Sequence, residues 1–209
     1  MHISYSLLLV FILSLAWGTG CTYTEKIRDG KTAFERKQYN KAIPLLRKDF
    51  EKAKRKTEQG QHAFFIGECL RNMGKMTEAA SWYRTAYDYQ YGFDALKQYA
   101  YALKEDGQYQ EAIRAFKDLG IELGSPYEYR KEIEACQKAI RWQKDERNPY
   151  SVSLAPFNSN ASDYAPILYQ KDELLFTSDR PLATGAETYH WTGRSFSDLF
   201  IAPKDGAVA

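Results

Sequence analysis

Gly107-Gln108-Tyr109-Gln110-Glu111-Ala112-Ile113 passes from a turn into an apolar-periodic run, and Lys37-Gln38-Tyr39-Asn40-Lys41-Ala42-Ile43 says nearly the same thing earlier in the chain. Working outward, three segments superimpose. The first holds Gly30, Ala42 and Leu46. The second holds Gly67, Ala79, Tyr83 and Ala86, and the third Ala100, Ala112 and Phe116. In each, eleven residues separate the two small positions, and a large residue follows four places after the second. The spacing predicts helix pairs in which the small residues let helix A approach helix B and the large residue fills the layer between units. Turn signals fall between the helices, at Asn72-Met73-Gly74-Lys75 and Glu105-Asp106-Gly107-Gln108. Gly74 and Gly107 suit the left-handed conformation that ends a helix.

The three alanines Ala42, Ala79 and Ala112 are spaced by 37 and 33 residues. That pattern resembles the tetratricopeptide repeat, whose period is about 34 residues. The resemblance covers residues 31–140 and implies an α-α solenoid with a groove that binds protein partners. Glu68, Arg71 and Tyr101 are the candidate groove residues, from the helix A faces. Pro44 is expected in the first turn of its helix, where proline is tolerated. Residues 52–61 read as a loose linker accounting for the longer first spacing. A last helix is expected over 126–144, with Ser125 as N-cap and Pro126 as first residue. Its stripe of Tyr129, Ile133, Cys136, Ala139 and Ile140 would cap the open end of the array.

Bulk composition agrees with a globular chain. Of 209 residues, 44% are hydrophobic and 27% charged. A net charge of +2 is too balanced to argue for nucleic acid or an acidic substrate. The 16 tyrosines carry an apolar ring and a polar tip, which suits repeat packing and partner surfaces.

Residues 7–17 are apolar except for Ser14. As a helix they span about 16 Å, half a bilayer, which fits a signal-peptide core better than a membrane span. Gly18, Thr19 and Gly20 lead directly into Cys21. This resembles a bacterial lipoprotein signal over residues 1–20, which implies that Cys21 is acylated and becomes the mature N-terminus. The alternative is an ordinary secretory signal with Cys21 there by chance. Cys69 and Cys136 match no metal spacing and sit on apolar helix faces, so two buried free thiols are expected, with a disulfide as the alternative.

After Lys144 the character changes, and 145–149 read as a linker. Residues 151–155, 166–170, 174–178 and 198–202 are short, alternating and bounded by turn formers, so each reads as a strand. Four such strands make one sheet with the spacing of a propeller blade. Asp163 and Pro166, then Asp172 through Phe176, Ser178 and Arg180, then Asp198-Leu199-Phe200, resemble the PD40 (WD40-like) repeat. Glu173 stands where that repeat has glycine. Residues 181–196 read as an insertion and an exposed loop. One blade leaves open edges and an apolar face, so the chain is expected to be an N-terminal fragment with further blades beyond it.

The fold class expected is therefore α+β in separate domains. Residues 21–145 would be a helical repeat array with a capping helix, and 146–209 the first blade of an incomplete β-propeller. No phosphate-cradling loop, His-Glu-x-x-His or Cys-x-x-Cys is present. Ser178, His190 and Asp198 are types found in a hydrolytic triad, but Ser178 lacks the Gly-x-Ser-x-Gly elbow. No catalytic residue, metal site, cofactor or small-molecule substrate is expected.

A lipoprotein-type signal, tetratricopeptide repeats and PD40 blades, in that order, resemble the OmpA-family periplasmic lipoproteins of the Bacteroidota, among them components associated with the type IX secretion machinery. The resemblance implies a non-enzymatic scaffold, lipid-anchored to the outer membrane through Cys21 and facing the periplasm. It implies an envelope protein partner in the repeat groove, and peptidoglycan binding only through a region beyond Ala209. Two alternatives stay open: a PD40-propeller peptidase of the prolyl-oligopeptidase type, and an adaptor lipoprotein of a carbohydrate-uptake system.

Overall fold

Asp29 starts the first helix, its carboxylate accepting the Thr32 N–H at 2.8 Å, a side-chain cap for an otherwise unbonded amide. The computed structural model describes residues 27–145, 150–185 and 187–203. Residues 1–20 and Cys21 lie outside the described residues, as do 146–149 of the linker. Among the described residues seven helices follow in order: α1 Gly30–Glu35, α2 Tyr39–Lys52, α3 Lys56–Asn72, α4 Met76–Asp88, α5 Phe93–Glu105, α6 Tyr109–Glu122 and α7 Arg130–Gln143. Each packs chiefly on the helix before it and the helix after it.

Five turns end helices in the same way, among them Gln90 after α4 and Gly124 after α6, with φ of +65° and +66°. Gly74 and Gly107 take φ of +75° and +79°. The next amide then turns back, Lys75 N–H to the Leu70 carbonyl and Gln108 N–H to that of Leu103, each at 2.9 Å. Lys37 holds the same place after α1 with φ of +56°. A side chain there costs about 1–2 kcal/mol relative to glycine. The Gln38 N–H still bonds the Ala33 carbonyl at 2.9 Å.

Several boundaries differ from the sequence reading. The linker expected over 52–61 is only residues 53–55, because α2 runs to Lys52 and α3 begins at Lys56. The longer first spacing is absorbed by helix instead: α3 has 17 residues against 13 in α5, about one extra turn. Pro44 is the sixth residue of α2 and lies beyond its first turn. The carbonyl it leaves without an amide belongs to Asn40, which is exposed and meets solvent. Helix α7 starts at Arg130 and not at Pro126. Gly124 turns the chain at φ +66° and residues 126–129 form a turn, with Tyr129 as the N-cap and Ser125 holding no cap bond to the helix.

Strands β1 Asp163–Tyr169, β2 Glu173–Ser178 and β5 Asp198–Pro203 form an antiparallel sheet in the order β1-β2-β5. The register places Asp163 beside Ser178 and Ser178 beside Asp198. A bulge falls between Tyr164 and Ile167, where Ala165 takes φ of +54° and Pro166 brings no amide to the ladder. Residues 151–155 form no strand. Val152 and Leu154 are almost wholly exposed, and alternation alone does not make a strand without a pairing edge. The insertion between β2 and β5 contains a hairpin, β3 Thr188–Tyr189 and β4 Arg194–Ser195.

Candidate functional site

The matched small and large residues meet inside each helix pair. A Cβ on Gly30 would lie 2.6 Å from Leu46 Cγ, and one on Gly67 would lie 2.7 Å from the Tyr83 ring. Leu46, Tyr83 and Phe116 are buried together with Ala42, Ala79, Ala100 and Ala112. The Phe116 ring packs edge-on to Tyr101 at 5.2 Å and stacks on Tyr129 at 5.4 Å, tying the third pair to the start of the last helix.

Two of the three groove candidates turn inward. Glu68 accepts the Tyr83 hydroxyl at 2.6 Å and Arg71 Nη2 at 2.8 Å, and its side chain is only 14% exposed. Burial and the bond to Glu68 push the Tyr83 hydroxyl pKa up. Glu68 therefore fastens α3 to α4 through Tyr83, and Arg71 holds Glu68 from within α3. Tyr101 is half-buried and reaches Glu132 of α7 at 3.4 Å. Cys69 and Cys136 are free and buried. Burial pushes the Cys69 thiol up to about 12 and the Cys136 thiol up as well. A thiol held protonated is a poor nucleophile.

In the sheet, Asp163, Ser178 and Arg180 form one buried knot. Ser178 Oγ donates to Asp163 Oδ1 at 2.6 Å and Arg180 Nη2 to the same oxygen at 2.8 Å. Ser159 N–H and Oγ fill the other oxygen at 2.6 and 2.9 Å. Burial pushes the Asp163 carboxyl up, but the bonds from Ser178, Arg180 and Ser159 outweigh it and hold it well below the usual carboxylate range. Arg180 Nη2 also donates to the Phe157 carbonyl at 2.9 Å, and its guanidinium lies 4.9 and 5.0 Å from the Phe176 and Phe200 rings. Asp179 accepts the Ser162 N–H at 2.7 Å and Arg194 Nη1 at 3.2 Å. Asp172 is exposed in the β1–β2 turn, and Pro166 sits at the bulge.

Ser178, His190 and Asp198 are not assembled into a triad. Ser178 is spent on Asp163, Asp198 accepts Thr184 Oγ1 at 2.7 Å, and the His190 carbonyl accepts the Asn40 N–H. No group of three metal-ligating side chains occurs among the described residues, and no described helix is long and apolar enough to cross a membrane.

Sequence reasoning missed two surfaces. A groove of about 380 Å³ runs between α4, α5 and α6, with Arg84 lying 5.9 Å from both the Tyr87 and Tyr99 rings. The insertion expected as an exposed loop instead lays its tip on the helices. Trp191 Nε1 donates to the Asn72 carbonyl at 2.9 Å, 119 residues away in sequence.

Fold and site together define an α+β chain in which helix pairs precede a small antiparallel sheet. No protein-family model matches it, and no curated protein or solved structure is significantly similar to it.

Proposed function

We propose that the chain is a non-enzymatic scaffold lipoprotein of the bacterial envelope, of the OmpA-family kind outlined by its motifs. Residues 21–145 act as a tetratricopeptide array that holds a protein partner, and residues from 146 onward begin a PD40 propeller. Acylated Cys21 anchors the chain to the outer membrane, facing the periplasm.

One observation carries the array reading. The same small-against-large contact recurs as Gly30–Leu46 and Gly67–Tyr83, while each helix rests on its neighbours in order, as stacked repeats do. The blade reading rests on the buried Asp163–Ser178–Arg180 knot, which uses the motif's polar positions to lock adjacent strands. Exposed Ile167, Leu168 and Leu199 on the two edge strands suit packing against further sheets.

Replacing Cys21 by Ser tests the anchor. The expected result is a protein that moves from the membrane to the soluble fraction and loses fatty-acid labelling. Unchanged fractionation, or no labelling of the unsubstituted protein, overturns the anchor.

A further inference from the structure

The hairpin of β3 and β4 is built to reach the helices. Its base is held to the sheet by Arg194, which donates to Asp179 Oδ1 at 3.2 Å and to the Asn160 carbonyl at 3.1 Å. Its four-residue turn closes with Gly193 N–H on the Tyr189 carbonyl at 2.8 Å. At the tip, the Trp191 ring stands edge-on to Tyr39, centroids 4.9 Å apart at 82°.

The helices read this tip in four ways. Tyr39 supplies an apolar wall. The Asn72 carbonyl, at the C-terminal end of α3 where carbonyls lack intrahelical partners, accepts the indole N–H. The Lys37 ammonium lies 5.7 Å from the indole centroid, within cation–π range. The Asn40 N–H binds the His190 carbonyl at 3.2 Å. Gly193 lies so close to Asn40 that a Cβ there would come within 2.3 Å of its Cγ. Wall, acceptor, cation and amide together select an indole preceded by a free backbone carbonyl.

The fit is not complete. Gln38 Oε1 and His190 Nδ1 are buried without a hydrogen-bond partner among the described residues. His190 belongs to the docked turn itself, and a polar atom desolvated there without a bond is a cost to the docked state.

We propose that Lys37, Tyr39, Asn40 and Asn72 form a receptor for a tryptophan-tipped turn, and that the chain's own turn is its resident ligand. A partner presenting the same chemistry enters by displacing Trp191. The proposal rests on the reading of the helices as a partner-binding array, and it names the occupant.

The probe is a fluorescein-labelled, cyclised peptide of residues 187–196, titrated with the full chain by fluorescence anisotropy. The Trp191→Ala chain is expected to bind it at least about tenfold more tightly than the unsubstituted chain, whose site is occupied. Adding Tyr39→Ala to that variant abolishes binding, and a peptide with Ala at the tryptophan position does not bind. Gly193→Ala, which keeps the tryptophan in the sequence but pushes the turn off Asn40, opens the site in the same way. Equal affinity for the unsubstituted and both single-variant chains overturns the proposal. So does absent binding to Gly193→Ala or Trp191→Ala with helical circular dichroism intact. These outcomes concern one chain and its own peptide, so they stand whether or not an envelope partner is found. Failure to find that partner counts against the scaffold reading alone.

Discussion

Gly67→Ala is a one-carbon test of how the helix pairs are packed. The added Cβ would lie 2.7 Å from Tyr83 Cδ1 and Cε1 and 3.2 Å from Cγ. The ring has nowhere to go. Tyr83 is fully buried, its hydroxyl is bound to Glu68 at 2.6 Å, and the Phe64 ring lies 5.6 Å away. Relief therefore requires α3 and α4 to separate, which strains a packed core by about 1–3 kcal/mol. Alanine is the better helix former by about 1 kcal/mol, so the two effects oppose each other. The balance expected is a net loss of about 1 kcal/mol. Urea unfolding followed by circular dichroism at 222 nm should show a lower midpoint with unchanged slope. Gly67→Ala with Tyr83→Leu should recover part of the loss, because the two sites touch. A Gly67→Ala chain that is more stable by about the full helix-propensity gain would refute the close approach. Ala100 provides an internal contrast. It is fully buried and holds the matching place in the third segment's spacing, so Ala100→Gly should destabilise.

Asp163→Asn leaves the buried Arg180 without its carboxylate and should loosen the sheet by about 3–5 kcal/mol, seen as faster proteolysis within residues 157–200 while helical dichroism persists. The acid dependence follows the same group. Its folded pKa lies below the ordinary 3.8, so its contribution is complete above that value and is lost as pH falls through the lower folded one. Protection of β2 amides from hydrogen exchange should therefore fall below about pH 4 in the unsubstituted chain and show no such step in Asp163→Asn. Cys69 and Cys136 should resist a thiol reagent at pH 8 in the folded state and react on denaturation, since burial pushes the Cys69 thiol up to about 12. If Cys21 is acylated as proposed, membrane-extracted protein should then titrate two thiols and not three.

Much of the helical part was legible because its signals are local and repeated. Gly74 and Gly107 announce their turns, and the Gly–Ala–large spacing places helices α3 to α6. The extra turn in α3 was misread as a linker because residues 52–61 are polar and charged, and polarity does not tell an exposed helix from a loop. Pro126 marked a helix start that Gly124 postpones. Asp163, Ser178 and Arg180 stood out as a set in the sequence, and the structure brings them together. Their joint burial follows from a register that sets Asp163, Ser178 and Asp198 side by side, and spacing alone does not specify register. Val152 and Leu154 alternate like a strand but meet no partner edge. Least legible was Trp191. Its hydrogen-bond partner Asn72 lies 119 residues away, and such distant contacts leave no periodic trace in the insertion.

The proposed holding of an envelope partner by the helices at the outer membrane can be tested in cells. A photo-crosslinking phenylalanine analogue at Tyr101, introduced in the full chain in its native cells, tests it most directly. One discrete adduct is expected in the outer-membrane fraction, absent when the analogue replaces exposed Lys117 on α6. No adduct from Tyr101, or the same adduct from both positions, would contradict it.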